Sequence, residues 1–157
     1  MQAELDRPDQ VGLSHLGLSV SNLERSTSFY CDVLGATLAR APCDGDSPSF
    51  SGRMALVVLG ALALDLFEHS GNEGKRFDPS CTGLDHFAFV AQSSEELQTW
   101  ASWLDAHDVP HSEIRDAGGL GAMFDFADPD GIQLEFLFVD PEKLQQSASY
   151  SHVAESQ

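Results

Sequence analysis

Cations are scarce in this chain. Eight Lys and Arg stand against 25 Asp and Glu, for a net charge of −17 over 157 residues. That shortage argues against nucleic acid as a partner, because such binding depends on neutralising phosphates with Lys and Arg. It argues equally against an anionic membrane surface. Long apolar runs are also missing, with nothing near the ~18 residues that a membrane span requires. The start, Met1-Gln2-Ala3-Glu4-Leu5-Asp6-Arg7, lacks the basic and then apolar pattern of a secretory signal, so a cytoplasmic protein is expected. Cysteine is sparse too. Cys31, Cys43 and Cys81 are odd in number and form no Cys-x-x-Cys pair, which disfavours a disulfide frame or zinc ribbon. Buried, reduced thiols are expected instead.

What is present is a repeat. Val11-Gly12-Leu13-Ser14-His15-Leu16-Gly17-Leu18-Ser19-Val20 is echoed by Thr82-Gly83-Leu84-Asp85-His86-Phe87-Ala88-Phe89-Val90-Ala91. Fifty residues beyond His15 stands Asp65, in Leu62-Ala63-Leu64-Asp65-Leu66-Phe67. Forty-nine beyond His86 stands Glu135, in Ile132-Gln133-Leu134-Glu135-Phe136-Leu137. Internal repetition of this kind identifies the architectural unit. Each half reads as β-α-β-β-β, an α+β pattern.

In the first half, a strand over 12–20 leads to a helix capped by Asn22 and stopped at Gly35. A short strand near Thr37–Ala39, a loop over 42–48 and a hairpin of Met54–Leu59 with Leu62–Phe67 follow. In the second half, a strand over 84–91 precedes a helix from Ser93 or Ser94, with Glu95 and Glu96 in its first turn. Strands are expected near 111–115, 121–126 and 131–138, with a turn at Asp128-Pro129-Asp130-Gly131. The expected organisation is a flexible arm at 1–10, modules at 11–69 and 82–140, a connector at 70–81, and a polar tail at 141–157.

Strand alternation places the four singled-out residues consistently. Leu16, Leu18 and Val20 oppose His15, Gly17 and Ser19. Leu64 and Leu66 oppose Ala63, Asp65 and Phe67. Phe87 and Phe89 oppose His86 and Ala88, and Leu134 and Phe136 oppose Glu135. The bulky sets are expected under helices, leaving His15, Asp65, His86 and Glu135 on the other faces. Two imidazoles with one or two carboxylates suit Zn²⁺, Fe²⁺, Mn²⁺, Co²⁺ or Ni²⁺. Glu68 has the opposite parity, His69 reads as a loop residue, and His111 and Tyr30 read as a surface His and a core Tyr.

These residues resemble the vicinal oxygen chelate superfamily, the glyoxalase, bleomycin-resistance and extradiol-dioxygenase group. The resemblance rests on His15, on Phe29-Tyr30-Cys31-Asp32-Val33-Leu34-Gly35, on Leu84-Asp85-His86, and on Asp128-Pro129-Asp130-Gly131-Ile132-Gln133-Leu134-Glu135. The last is similar to the family's Asp-Pro-Asp-Gly-x-x-x-Glu signature. The resemblance implies paired βαβββ modules forming one domain, with a cup-shaped mixed sheet, helices outside and one divalent metal ion inside. It implies His15, His86 and Glu135 as ligands and a homodimer whose subunits share or border the cavity.

Asp65 falls where glyoxalase- and epimerase-like members carry Glu or Gln, one methylene longer. With Asp65 coordinated, the resemblance implies a lyase or isomerase acting on a small molecule with vicinal oxygens. Such a reaction runs through a metal-stabilised enediolate, with Glu135 or Asp65 as base. Without Asp65, a two-His-one-carboxylate iron site suited to extradiol cleavage remains. A third expectation is an antibiotic-sequestering protein without catalysis, for which the acidic charge suits a cationic drug.

Overall fold

The computed structural model describes residues 12–146, so the expected arm at 1–10 and most of the tail at 141–157 lie outside the described residues. The first module comprises β1 (His15–Ser19), α1 (Leu23–Ser28), β2 (Thr37–Ser47), β3 (Phe50–Leu59) and β4 (Leu62–His69). The second comprises β5 (His86–Val90), α2 (Ser94–Ala106), β6 (Arg115–Asp116), β7 (Gly121–Ala127) and β8 (Gln133–Val139). Each folds into a four-stranded mixed sheet, in the orders β1-β4-β3-β2 and β5-β8-β7-β6. The first strand of each runs parallel to the last, and the remaining pairs are antiparallel. This is the α+β pair of βαβββ modules that the repeat implies. Among the described residues no helix is long and apolar enough to cross a membrane.

Local chemistry explains the helix boundaries. The Asn22 side chain accepts from the Arg25 backbone N–H at 2.9 Å, and Ser93 caps α2 through the Glu96 N–H at 3.2 Å. The first helix does not stay α-helical to Leu34, however. It passes into a π-helical turn, Phe29–Val33, which ends where Gly35 takes a φ of +74°.

One expectation fails over residues 42–48. The Pro, Gly and Asp residues there read as a loop, yet β2 runs on to Ser47 as the outer arm of a long hairpin with β3. Irregular register at Arg40 and again before Cys43 accommodates Pro42, which has no N–H to give the ladder. Cysteine burial is also corrected. All three thiols are free, but Cys43 and Cys81 are exposed and Cys31 is half-buried.

The helix-side faces build one core across both modules. Leu18, Leu64, Leu66, Ala55 and Val57 meet Tyr30 and Leu34 in the first, and Leu97, Leu104, Phe124, Leu134 and Phe136 fill the second. Burying each large apolar side chain contributes ~1.5–3 kcal/mol. Trp100 stacks on Phe136 with centroids 4.5 Å apart, and the Trp103 indole N–H donates to the Val33 carbonyl at 2.8 Å. The modules are also tied by polar contacts. Asp130 accepts from the Ser21 N–H and hydroxyl, from Arg25 and from Ser26, while the Tyr30 hydroxyl donates to Asp128 at 3.2 Å.

Candidate metal centre

With the bulky sets committed to the core, the opposite sheet faces carry the chemistry. In the first sheet His15 lies opposite Ala63 and Gly17 opposite Asp65. His15 and Asp65 are therefore diagonal neighbours on one face. The His15 Nε2 lies 3.6 Å from an Asp65 carboxylate oxygen, with side-chain exposures of 55% and 19%. The second sheet repeats the arrangement, with His86 opposite Gln133 and Ala88 opposite Glu135. His86 and Glu135 hold the same diagonal relation.

The second pair is the more elaborated. Asp85 approaches His86 Nδ1 at 2.6 Å, which fixes the ring and directs Nε2 away from that carboxylate. The same hydrogen bond raises the His86 pKa, with burial opposing and the field of Glu135 adding to the rise. Glu135 is only 5% exposed. Burial pushes its carboxyl up, His86 draws it down, and Asp125, directly across the β7–β8 ladder, pushes it up again. Among the described residues the Glu135 carboxylate forms no hydrogen bond. A largely buried carboxylate that accepts no hydrogen bond and faces an imidazole is a donor set suited to a divalent cation. Arg115 binds Asp125 at 2.6 Å and balances part of this negative charge.

The four residues fall into two pairs. Among the described residues no three His, Cys, Asp or Glu side chains of one chain gather around a common point. The remaining candidates are accounted for. Glu68 faces the helix side, accepting from the Leu23 N–H at 3.0 Å. Tyr30 is a core residue, and desolvation followed by Asp128 raises its phenol well above the ordinary value. His111 is half-buried rather than on the surface, with Nδ1 2.7 Å from the Ser112 carbonyl. His69 closes β4 rather than lying in a loop, and its ring meets Phe50 edge-on at 5.0 Å.

Sequence reading gave no site role to Asp85 or Asp125. Asp85 had a signal, since it adjoins His86. Asp125 had one too, because it alternates with the buried Phe124 and Phe126 and so shares the face of Glu135.

Comparison with known proteins identifies the family. The family model described as Glyoxalase/Bleomycin resistance protein/Dioxygenase superfamily matches residues 12–136. The chain belongs to this superfamily. The match spans both modules and all four singled-out residues. The chain is 30% identical over 125 residues to the metallothiol transferase FosB of Staphylococcus saprophyticus, covering 78% of this chain and 74% of that protein. Among solved structures, a glyoxalase/bleomycin resistance protein/dioxygenase domain from Frankia sp. superposes with a TM-score of 0.75. It is 28% identical and covers 84% of this chain and 100% of its own. The fosfomycin resistance protein FosX of Listeria monocytogenes, complexed with Mn(II) and a dihydroxypropylphosphonic acid, shares the fold. Its TM-score is 0.66 at 22% identity, covering 88% and 99% of the two chains.

Proposed function

We propose that the chain is a divalent-metal enzyme of the glyoxalase lyase or isomerase type, acting on a small molecule with two neighbouring oxygens. Its centre joins His15 and Asp65 of one copy to His86 and Glu135 of the partner subunit. One observation carries this reading: the same diagonal His–carboxylate pair on the helix-free face of both sheets. Neither pair alone gives a closed site, because a divalent ion of this type takes at least three protein ligands. A second copy related by two-fold symmetry would bring a first-module pair against a second-module pair twice over. The FosX complex, with Mn(II) on the same fold, supports a metal as the cofactor.

The chemistry of the donor set fits. A bound Zn, Ni, Co, Mn or Fe ion would supply Lewis acidity at adjacent substrate oxygens. His15 and His86 would hold the ion through Nε2, with Asp85 fixing the second ring from behind. Glu135, 5% exposed and facing His86, is the stronger candidate to move a proton at the carbon bearing those oxygens. Asp65, close to His15 and half-buried, completes the ligand set, and its proximity favours four ligands over three.

Elemental analysis of protein purified without chelators tests the reading. About one divalent ion per chain is expected, with large losses in both His86→Ala and Asp65→Ala. One iron per chain that survives Asp65→Ala would replace lyase chemistry by extradiol-type ring cleavage. No metal after reconstitution would overturn the enzyme reading and leave sequestration of a cationic antibiotic. A second catalytic reading, thiol transfer to an electrophilic small molecule on the same centre, is favoured by the likeness to FosB. Consumption of a thiol together with an electrophilic small molecule, and no turnover of hemithioacetals, would select it.

A further inference from the structure

The face that carries Asp65 continues into a cavity no part of the metal chemistry uses. Phe67 and His69 follow Asp65 on β4 with the same parity, at about 7 Å per step along the strand. The ladder sets Met54 opposite Phe67 and Gly52 opposite His69, and Phe50 shares the parity of Met54. Phe50, Met54, Phe67 and His69, with Gly45, Asp46, Ser47 and Ser49, line a cavity of about 470 Å³.

Its aromatic walls pack against one another. Phe50 meets Phe67 edge-on at 5.0 Å and His69 edge-on at 5.0 Å. Two glycines let the rings lie against the backbone. A Cβ at Gly17 would fall 3.2 Å from the Phe67 ring, and one at Gly45 would fall 2.7 Å from the Phe50 ring. Asp46 is the cavity's one charged lining residue among those described. Nearby cations are engaged elsewhere: Arg53 with Glu24 and Glu68, and Arg25 with Asp130. Arg40 stands opposite Leu56 and outside the lining.

We infer that this cavity is a specificity pocket for an aryl group, and that the substrate is a non-anionic molecule carrying its vicinal oxygens one strand step from an aromatic ring. The inference rests on the metal reading for the reacting end, whereas the aryl end rests on the cavity alone. Aromatic side chains lining a cavity offer another ring edge-on or offset packing. A negatively charged group placed in this cavity would meet Asp46, and no Lys or Arg lines it.

The test compares binding of 4-phenylbutane-1,2-diol, whose two-carbon spacer spans about one strand step, and butane-1,2-diol to the metal-loaded full chain by calorimetry. The phenyl compound should bind about tenfold more tightly, as expected for burying the larger part of a ring. In Phe67→Leu, which keeps apolar packing without a ring face, and in Phe50→Leu, that preference should fall to about twofold. His15→Ala separates the two readings. Loss of metal with the phenyl preference retained would support the pocket independently of the metal. Equal binding of the two diols to the metal-loaded chain would overturn the inference and leave the metal reading, tested by metal content, untouched. A preference unaffected by both leucine variants would overturn it as well.

Discussion

Asp130→Ala should be among the most damaging single substitutions outside the proposed metal face. The Asp130 carboxylate is 8% exposed and receives four hydrogen bonds from the first module, more than a hundred residues away in sequence. Arg25 is 49% exposed, so its 2.7 Å pair is worth about 1 kcal/mol after solvent screening. The Ser21 N–H, at 3.1 Å, and the Ser26 hydroxyl, at 3.3 Å, are shielded and cannot all recover water. Each would be left unpaired at a cost of about 1–1.5 kcal/mol. The sum is about 3–4 kcal/mol, a large share of the 5–15 kcal/mol that typically separates folded from unfolded. For a chain of this size it corresponds to a fall in Tm of about 10 °C. Urea denaturation with an unchanged slope would measure it directly. A loss below about 1 kcal/mol would refute the claim that this contact clamps the modules together.

Other outcomes follow from the same geometry. Asp128 is a buried carboxyl raised above its ordinary value, chiefly by desolvation, although its Oδ1 accepts from the Asp130 and Ile132 N–H groups. A raised folded-state value contributes stability that is present below the ordinary Asp range and lost as pH rises through the folded value. Asp128→Asn keeps the accepting oxygen, so it should cost under about 1 kcal/mol at neutral pH and flatten that decline in denaturation curves taken between pH 4 and 8. Asp85→Asn should weaken metal affinity by about 10–100-fold in competition with a chelator dye, because it alters the group that orients His86. Unchanged affinity would mean that His86 needs no orienting partner.

The repeat and the alternation of side chains made most of this legible. Leu18, Leu64, Leu66, Leu134 and Phe136 pack as period-two reasoning requires, and their neighbours Asp65 and Glu135 lie on the opposite faces for the same reason. Asn22 was readable as a cap, and Ser93 or Ser94 as the start of α2, because such side chains meet a local need of the backbone. The strand over 42–47 was not readable. Pairing with β3 overrides the turn preferences of Pro42, Gly45 and Asp46, and that pairing is non-local. The Asp130 clamp was hidden for a related reason. An Asp-Pro-Asp-Gly turn explains itself locally, and nothing in it points to Ser21 and Arg25. The separation of the four site residues into two pairs is likewise a matter of how modules meet, which spacing along the chain does not encode.

The central claim is that two copies complete each metal centre, and subunit mixing tests it most directly. His15→Ala and His86→Ala chains, each expected to lose the metal alone, would be co-expressed with different tags and the mixed dimer isolated. Sites shared between copies leave one of the two centres in that dimer with every ligand intact, so metal content should return to about half that of the unaltered protein. Sites contained within single chains leave both centres broken, and a mixed dimer without metal would contradict the account.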